Sequence, residues 1–460
     1  MRRRLPIALL SVGVSLFVLL SLASVREASG QTQLPRCNEE VGGDLVFPSP
    51  NLVYDDTLFW IDMYENSLWR SQDNGETWLQ VFKFASNPLL PATIEQFQMT
   101  PHSADEQLTL YLGVDDIFHR QYYLYRSEQT GDGWEEVTAP CTSFDVDCPD
   151  NYSLRAGGQT PVLFQPRWWY FGWSPLPFGV ARSEDGGMTW QMVWEETHAW
   201  NVAVSPDYDN DQTLWATLMS NSPTLGTAFV LSRDGGETWQ AAGQGMCDDM
   251  FLYSDLEVSP GYTRDGALLM GLYQNSLFQS KDNGLTWRAI FPRGSTAVCD
   301  SSLTELAGLK PRFAPDYPDD PTIYVATNKG LYASYNDGQS WRRLTVPSTV
   351  FSLEVARRAS SSLLDPMTAN PASPTTLSEP MSSERAATSN ATLHQVFLPR
   401  VDAPGTPTPV RPYSLFMHAY VAGTYDDYMY RSDDGGATWE CMEKPQVRRR
   451  AYLPLVSAQN

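Results

Sequence analysis

An octapeptide of the form Ser-x-Asp-x-Gly-x-x-Trp recurs along the chain and constrains the fold more tightly than any other sequence feature. Five copies keep all four residues, whereas the other two carry Gln129 or Asn336 at the Asp position. The Asp carboxylate can accept turn N–H groups, the Gly tolerates a conformation that a Cβ disfavours, and the Trp can bury a large ring. We therefore expect seven β-hairpin turns, with those lacking Asp looser. The predicted structural residues are Asp73, Gly75, Trp78, Gly131, Trp134, Asp185, Gly187, Trp190, Asp234, Gly236, Trp239, Asp282, Gly284, Trp287, Asn336, Gly338, Trp341, Asp434, Gly436 and Trp439.

The spacing of the octapeptides matches the blades of a β-propeller. Successive octapeptide Trp residues lie 48 to 56 positions apart, except for the 98 positions between Trp341 and Trp439. One four-stranded blade typically takes about 40–50 residues. Two strand-like runs joined by a turn precede the octapeptide, a third leads into it and a fourth begins at its Trp. The sequence predicts an all-β protein, a seven-bladed β-propeller of four-stranded antiparallel blades.

A change of composition explains the long gap before the last octapeptide. Residues 358–412 are rich in Ser, Thr, Ala and Pro with almost no hydrophobic periodicity, which predicts a disordered insertion. They separate a first strand at 350–355 from a second strand at 414–420 within the last blade. The predicted organisation is a propeller over 31–442, interrupted by this insertion, and a C-terminal tail over 443–460.

Two short apolar segments resemble each other, one in the insertion and one in the tail. Residues 396–401 have the sequence Val-Phe-Leu-Pro-Arg-Val, and residues 451–456 have the sequence Ala-Tyr-Leu-Pro-Leu-Val. Docking onto a surface and sorting of the chain are both open interpretations of these Leu-Pro segments.

The N-terminus has the pattern of an export signal. Three Arg residues at 2–4 precede an apolar stretch from Leu5 to Val25, and small residues at 28–30 offer a cleavage site before Gln31. We expect residues 1–30 to be a signal peptide, with an uncleaved membrane anchor as the alternative because the apolar stretch is long. Both interpretations place the rest of the chain outside the cytoplasm, either secreted or anchored at the cell surface.

Charge and cysteine content exclude several classes of function. The net charge is −22, which is unsuited to binding nucleic-acid phosphates and suits a soluble, monomeric protein. We expect no cofactor, and no metal site because the six Cys show no CxxC spacing and the five His do not cluster with them. An even number of Cys in an exported chain indicates disulfides. The hypothesised pairs are Cys141 with Cys148, Cys247 with Cys299, and Cys37 with Cys441.

The octapeptide is the pattern of the Asp-box, or BNR repeat, and the chain resembles the Asp-box β-propeller superfamily over about residues 46–442. That superfamily includes sialidases, xyloglucanase-type glycoside hydrolases, sortilin-type receptors and photosystem II assembly-factor-like proteins. The resemblance implies the fold but no single activity, because this fold hosts many. Sialidases carry an Arg-Ile-Pro motif in the first blade, whereas residues 45–50 contain no Arg. Xyloglucanase-type enzymes resemble two facing propellers, and this chain has repeats for one.

The resemblance also implies where a site would lie. In such propellers the octapeptides lie on one face, and the loops between second and third strands and between blades build the opposite face. Acidic residues and cysteines map to that opposite face, with solvated loop acids as the structural alternative. The aromatic run at 168–173 is interpreted as a sugar-stacking surface, with a buried blade strand as the structural alternative. The candidate binding residues are Trp173, Trp168, Asp115, Asp116, Asp248, Asp249, Asp300, Asp426 and Asp427.

No catalytic residue stands out in the sequence, so the leading hypothesis is a non-catalytic extracellular propeller that binds a glycan or a protein. One alternative is a glycoside hydrolase, sialidase-like or xyloglucanase-like, which requires two converging carboxylates or an Arg cluster. Another is an assembly or scaffold factor resembling the photosystem II assembly-factor group. Membrane contact is expected only through the N-terminal anchor.

Overall fold

The computed structural model describes most of the chain from residue 34 to residue 445. The described residues are 34–38, 40–84, 93–100, 108–116, 121–137, 141–142, 155–157, 162–167, 179–246, 255–272, 276–291, 308–345, 349–358, 400–401, 410–420 and 426–445. Among them, no helix has the length and apolar character needed to cross a membrane.

Seven sheets, each built on four antiparallel strands that are hydrogen-bonded in sequence order, confirm the predicted seven-bladed propeller. The middle strands read as continuous apolar runs because their two faces are both buried against neighbouring blades. Blade 1 consists of β1 Leu45–Pro48, β2 Leu58–Asp62, β3 Ser67–Ser71 and β4 Leu79–Lys83. Blade 2 consists of β5 Thr93–Met99, β6 Leu110–Asp116, β7 Gln121–Ser127 and β8 Glu135–Glu136, with β9 Cys141–Thr142 also paired to β7. Blade 3 consists of β10 Arg155–Gly157, β11 Val162–Arg167, β12 Gly179–Ser183 and β13 Gln191–Trp194.

The remaining four blades follow the same order. Blade 4 consists of β14 Ala199–Val204, β15 Leu214–Leu218, β16 Phe229–Ser232 and β17 Gln240–Ala241. Blade 5 consists of β18 Asp255–Val258, β19 Leu268–Gly271, β20 Leu277–Ser280 and β21 Arg288–Phe291. Blade 6 consists of β22 Lys310–Phe313, β23 Ile323–Thr327, β24 Gly330–Ser334 and β25 Ser340–Arg343. Blade 7 consists of β26 Thr349–Arg357, β28 Tyr413–Tyr420, β29 Asp427–Ser432 and β30 Glu440–Cys441.

The chain between β26 and β28 spans the segment for which the sequence predicts disorder. The two strands pair in antiparallel register, so this segment lies between the first and second strands of blade 7. Two of its residues form strand β27, Arg400–Val401, which pairs in parallel with β25 on the outer edge of blade 6. One of the two Leu-Pro segments therefore ends in a strand that is added to a blade.

Single-turn helices join the first and second strands of three blades: α1 Leu52–Asp55, α2 Tyr208–Asp211 and α3 Tyr262–Asp265. Each turn is held by a Ser and an Asp. In blade 4, Ser205 Oγ donates to Asp211 Oδ2 at 2.7 Å, and the same carboxylate accepts the Thr213 N–H at 2.9 Å. These local bonds satisfy backbone and hydroxyl groups where the chain reverses direction.

Neighbouring blades meet through the octapeptide Trp and Gly. The indole N–H groups of Trp239 and Trp341 donate to the carbonyls of Val193 and Ile290, each in the fourth strand of the preceding blade, at 2.9 Å. A Cβ on Gly236 would lie 2.9 Å from the Val193 side chain. The octapeptide therefore shapes its own hairpin and also seats one blade on the previous one.

The N-terminal segment closes the ring against blade 7. The first strands of blades 7 and 1, β26 and β1, contact each other. A disulfide joins Cys37 to Cys441, which confirms that hypothesised pair. The buried side chain of Leu34 packs in the core shared by blades 6 and 7. The other two hypothesised pairs lie outside the described residues, except that Cys141 contributes backbone to β9.

Candidate functional site

The antiparallel strand order gives each blade two distinct ends. The octapeptides join third to fourth strands at one end, so the connections from second to third strands and from blade to blade lie at the other. We call the latter the loop face. First strands begin at this face, and those of successive blades from blade 2 round to blade 1 contact one another at the centre of the ring. Charged residues on the first strands therefore lie around the central channel.

Five charged residues on three neighbouring first strands converge there, and we call them the channel cluster: Asp255, Glu257, Lys310, Arg312 and Glu354. The Arg312 guanidinium is at its centre. Its Nη1 donates to Asp255 Oδ2 at 3.0 Å and lies 3.7 Å from Glu257 Oε2. Its Nη2 donates to Glu354 Oε1 at 3.0 Å. One side chain of blade 6 thus bridges blades 5 and 7.

Strand β22 presents its two cations by alternation. Side chains two positions apart share a face of a strand, so Lys310 and Arg312 lie on one side while Pro311 and Phe313 are buried on the other. Pro311 has no N–H for a ladder, which an edge strand tolerates. Its carbonyl accepts a further bond from Arg312 Nη1 at 2.8 Å.

Burial and charge act in opposite directions on the two cations. Burial lowers the pKa of Lys310, although Asp255 and Glu354 partly oppose it. Burial also acts to lower the pKa of Arg312, but the surrounding Glu354, Asp255 and Glu257 carboxylates outweigh it and hold that pKa well above its usual range. The guanidinium is therefore fixed as a cation within an acidic frame.

The channel cluster contains none of the residues predicted as binding candidates. The signal for it was present as an alternation of charged and apolar residues in first strands, for example Asp255-Leu256-Glu257-Val258. Because first strands face the channel in a propeller, charges on that pattern point toward one another across blades.

Asp427, a predicted binding residue, joins the N-terminal segment to blade 7. It is 7 % exposed, and its carboxylate accepts the N–H groups of Gly42 and Gly43 at 3.3 and 2.8 Å and contacts His418 Nε2 at 2.9 Å. Although burial acts to raise its pKa, these hydrogen bonds outweigh burial and lower it. Burial lowers the pKa of His418 despite its contact with Asp427. The pair fastens the N-terminal segment to blade 7.

The other predicted binding residues do not form one site among the described residues. Asp116 ends β6 and is 5 % exposed, Asp115 precedes it in the same strand, and Asp426 lies just before β29. The structure does not bring these to the channel cluster. The remaining candidates lie outside the described residues: Trp168, Trp173, Asp248, Asp249 and Asp300.

The octapeptide Asp residues are occupied by their own turns. In blade 3, Asp185 accepts the Thr189 N–H at 2.9 Å, the Thr189 hydroxyl at 2.6 Å and the Ser183 hydroxyl at 2.8 Å. Burial acts to raise the pKa of Asp185, but these bonds outweigh it and lower the pKa. Equivalent bonds to the hydroxyls of the Ser and Thr in the same octapeptide occur at Asp73, Asp234, Asp282 and Asp434.

A second charged group is sealed at the junction of blades 7 and 1. Lys444 Nζ lies 3.1 Å from Asp44 Oδ2 and 3.0 Å from Asp62 Oδ2. Burial raises the pKa of Asp44 to about 6, although Trp60 donates its indole N–H to that carboxylate at 2.7 Å. Asp44 is wholly buried and Asp62 is nearly so, and these two carboxylates are therefore out of reach of a substrate.

Within the described ranges, no three His, Cys, Asp or Glu residues are grouped so that they could hold a metal ion. The channel cluster itself consists of the partly buried Arg312 guanidinium, the three carboxylates around it and the Lys310 ammonium.

No protein-family model matches the chain, and no curated protein matches it. Among solved structures it is similar to YCF48 from Cyanidioschyzon merolae, at 15% identity and a TM-score of 0.44, covering 70% of this chain and 92% of that one. It is similar to YCF48 bound to D1 peptide at 13% identity and a TM-score of 0.43, covering 70% and 91%. It is also similar to the GH74 xyloglucanase from Xanthomonas campestris at 14% identity and a TM-score of 0.39, covering 84% and 60%. These similarities assign no activity to the chain.

Proposed function

We propose that the chain is a secreted or surface-anchored, non-catalytic Asp-box propeller that binds a glycan or an extracellular protein through its loop face. The hydroxyl and amide bonds around the octapeptide Asp residues support the Asp-box interpretation. The export signal predicted at residues 1–30 supports the location.

The observation that carries the non-catalytic interpretation is the engagement of the channel carboxylates by Arg312. A glycoside hydrolase needs an acid and a second carboxylate flanking the bond to be cleaved, about 5–10 Å apart. Here Asp255, Glu257 and Glu354 all lie against one permanently charged guanidinium. This arrangement supports a rigid charged surface for recognition.

The raised pKa of Asp44 does not favour the enzyme alternative. A carboxyl with a pKa of about 6, as at Asp44, could serve as a general acid. Asp62 would be the second carboxylate, because it contacts the same Lys444 ammonium. A general acid must, however, come within hydrogen-bond reach of its substrate. Asp44 has no exposed surface, and its oxygens are bonded to Trp60 and to the Met63 N–H.

The experiment is a glycan-array screen of the mature chain from Gln31, run beside hydrolysis assays on sialosides and β-glucans. We expect binding without turnover. Glu354→Gln tests the channel cluster, and Glu184→Gln, which alters an exposed acid within the blade 3 octapeptide, is the matched control. Turnover that is lost in Glu354→Gln and retained in Glu184→Gln would overturn the proposal in favour of an enzyme. Silence in both assays would favour a protein partner over a glycan.

A further inference from the structure

The residues next to an octapeptide Trp form an edge to which added chain pairs in parallel. In blade 5, Gln244 forms a parallel bridge with Thr286, the residue before the octapeptide Trp287. The Gln244 N–H donates to the Leu285 carbonyl at 2.9 Å, and the Gln244 carbonyl accepts the Trp287 N–H at 2.8 Å. This edge is filled by chain that follows the last strand of the preceding blade.

The same edge is filled in blade 6 by a different part of the chain. Arg400 pairs with Ser340 and Val401 pairs with Trp341, again in parallel and again at the octapeptide Trp and the residue before it. The occupant is the end of the Leu-Pro segment 396–401. Two unrelated parts of the chain therefore pair in parallel at this position, which indicates that the octapeptide edge itself favours the pairing.

In blade 1 the equivalent positions, Thr77 and Trp78, line an open groove of about 630 Å³, which we call the tail groove. Residues 73–78 form one wall, and residues 440–445 with Arg431 and Asp433 form the other. Leu79 follows directly in β4 and is 40 % exposed, an apolar side chain beside an edge at which no described strand is added to blade 1.

The chain carries a second Leu-Pro segment, tethered to this groove. Residues 451–456 match 396–401 at Leu, Pro and the final Val, so Leu455 and Val456 stand where Arg400 and Val401 stand in the first segment. The described chain reaches Pro445 in the groove wall. Pro445 and the Thr77–Trp78 edge line the same groove, and the nine residues from 446 to 454 span up to about 30 Å when extended, at about 3.3 Å each.

Charge complementarity favours the same occupant. The groove contains five carboxylates, those of Asp73, Glu76, Asp433, Glu440 and Glu443, against the two cations of Arg431 and Lys444. The tether carries three consecutive Arg residues at 448–450. A basic tether entering an acidic groove gains electrostatic attraction that orients the segment.

We propose that Leu455 and Val456 pair in parallel with Thr77 and Trp78, adding a fifth strand to blade 1 as β27 adds one to blade 6. This pairing mode is β-strand addition, in which main-chain hydrogen bonds supply affinity and side chains supply register. The occupant is the chain's own tail, which would stabilise the junction of blades 7 and 1.

The first test disrupts the Leu-Pro segment of the tail by mutation and supplies the same segment as a separate peptide. A fluorescent peptide of residues 446–458 is titrated against the mature full-length chain and its L455D/V456D variant, with binding followed by fluorescence polarisation. We expect the peptide to bind the variant and to bind the wild-type chain at least about tenfold more weakly, because the tethered segment competes at high effective concentration. No binding to either chain, or equal binding to both, would overturn the proposal.

A matched pair of propeller variants tests whether the peptide binds at the tail groove. In the L455D/V456D background, Glu76→Lys reverses a groove charge, whereas Leu285→Lys places Lys at the same octapeptide position in blade 5, where Gln244 already fills the edge. Peptide binding should weaken several-fold with the first and stay unchanged with the second. Equal weakening by both would exclude the tail groove.

Amide hydrogen exchange on the intact chains gives an independent readout. The peptide fragment covering residues 76–83 should exchange faster in L455D/V456D than in wild type, while the fragment covering 285–291 should not change. Light scattering separates the chain's own tail from that of a second copy. A wild-type dimer that dissociates in L455D/V456D would overturn the intrachain pairing.

Discussion

The octapeptide turns of blades 4 and 2 share one hydrogen bond, from Gly to Ser, which we call the frame. They differ in the bonds between Asp and Thr, which we call the lock. In blade 4, Ser232 Oγ accepts the Gly236 N–H at 2.8 Å, and Asp234 then accepts both the N–H and the hydroxyl of Thr238. In blade 2, Ser127 Oγ likewise accepts the Gly131 N–H at 3.0 Å. There, however, Gln replaces the Asp, and a Gly without a hydroxyl replaces the Thr. The Ser–Gly bond forms the turn, and the Asp–Thr pair adds to it.

Blade 6 shows that the second component does not require a charge. Asn336 Oδ1 accepts the Ser340 N–H at 2.9 Å and the Ser334 hydroxyl at 3.0 Å, and its Nδ2 donates to Ser340 Oγ at 2.9 Å. The Asp residues of other blades contact the same positions, except that there the hydroxyl donates to the carboxylate, whereas here the Asn336 amide donates to the hydroxyl. From the sequence we expected both the Asn and Gln turns to be looser than the Asp turns. The hydrogen bonds instead distinguish them, because Asn336 in blade 6 bonds to both Ser334 and Ser340, whereas blade 2 has neither the Asp nor the Thr.

The largest expected effect tests the frame common to blades 4 and 2. Gly236 and Gly131 both have φ of +96°, and a Cβ would lie 2.9 Å from Val193 and 3.1 Å from Val81 respectively. Gly236→Ala and Gly131→Ala should each lower the free energy of unfolding by about 2–3 kcal/mol, measured by urea denaturation. Gly133→Ala, whose Cβ meets nothing within 4 Å, is the control and should be nearly neutral. A neutral Gly131→Ala would show that blade 2 lacks the common frame.

Removing the Ser hydroxyl is the next largest change. Ser232 and Ser127 are both 1 % exposed, so Ala at either position leaves a buried glycine N–H without its acceptor. We expect losses of about 1–3 kcal/mol in unfolding free energy for each variant. The loss should be greater for Ser232→Ala, because its hydroxyl also donates to Asp234. Equal losses would indicate that the Ser–Asp bond contributes nothing.

Removing the side chain at the Asp position should change the unfolding free energy more in blade 4 than in blade 2. Asp234→Ala deletes the bonds to Thr238 and should cost about 1 kcal/mol, the usual net value of such bonds at a partly exposed site. Gln129 is exposed, and Gln129→Ala should change the unfolding free energy by less than about 0.5 kcal/mol. Thermal and urea unfolding of both variants measure the difference, and a cost at Gln129 equal to that at Asp234 would contradict it.

How far the sequence predicts this molecule depends on the range of the interactions. The octapeptide turns could be predicted because their hydrogen bonds join residues two to four positions apart, as between Ser232 and Gly236. Repetition of these turns at blade spacing then predicted the number of blades. The Cys37–Cys441 pair could be proposed because a ring must join its two ends.

The candidate site could not be predicted in the same way. Arg312 meets Asp255 and Glu354 across 57 and 42 positions, and only the packing of successive blades brings those first strands together. The contacts of Asp427 could not be predicted for a related reason, since its amide partners Gly42 and Gly43 are 385 and 384 positions away. A cluster of acids in the sequence does not show which of them the N-terminal segment will bury.

A modest gain is expected from building the Asp–Thr bonds of blade 4 into blade 2. Gln129→Asp with Gly133→Thr should raise the free energy of unfolding by about 0.5–1 kcal/mol at neutral pH, with neither single change reproducing it. At Asp234 burial acts to raise the pKa, but bonds from Thr238 and Ser232 outweigh it and lower the pKa. The carboxyl introduced by Gln129→Asp should follow the same pattern.

The gain should therefore depend on pH with a defined sign. A folded-state pKa below the unfolded value stabilises the protein above about pH 4 and loses that contribution as pH falls through the folded pKa. Urea denaturation of wild type, both single variants and the double variant at pH 7 and pH 3 measures the coupling between the two positions. A coupling that is unchanged at pH 3 would mean that the introduced carboxyl acts only as a neutral acceptor, as the Asn336 amide does in blade 6, and that the charge adds nothing to the lock.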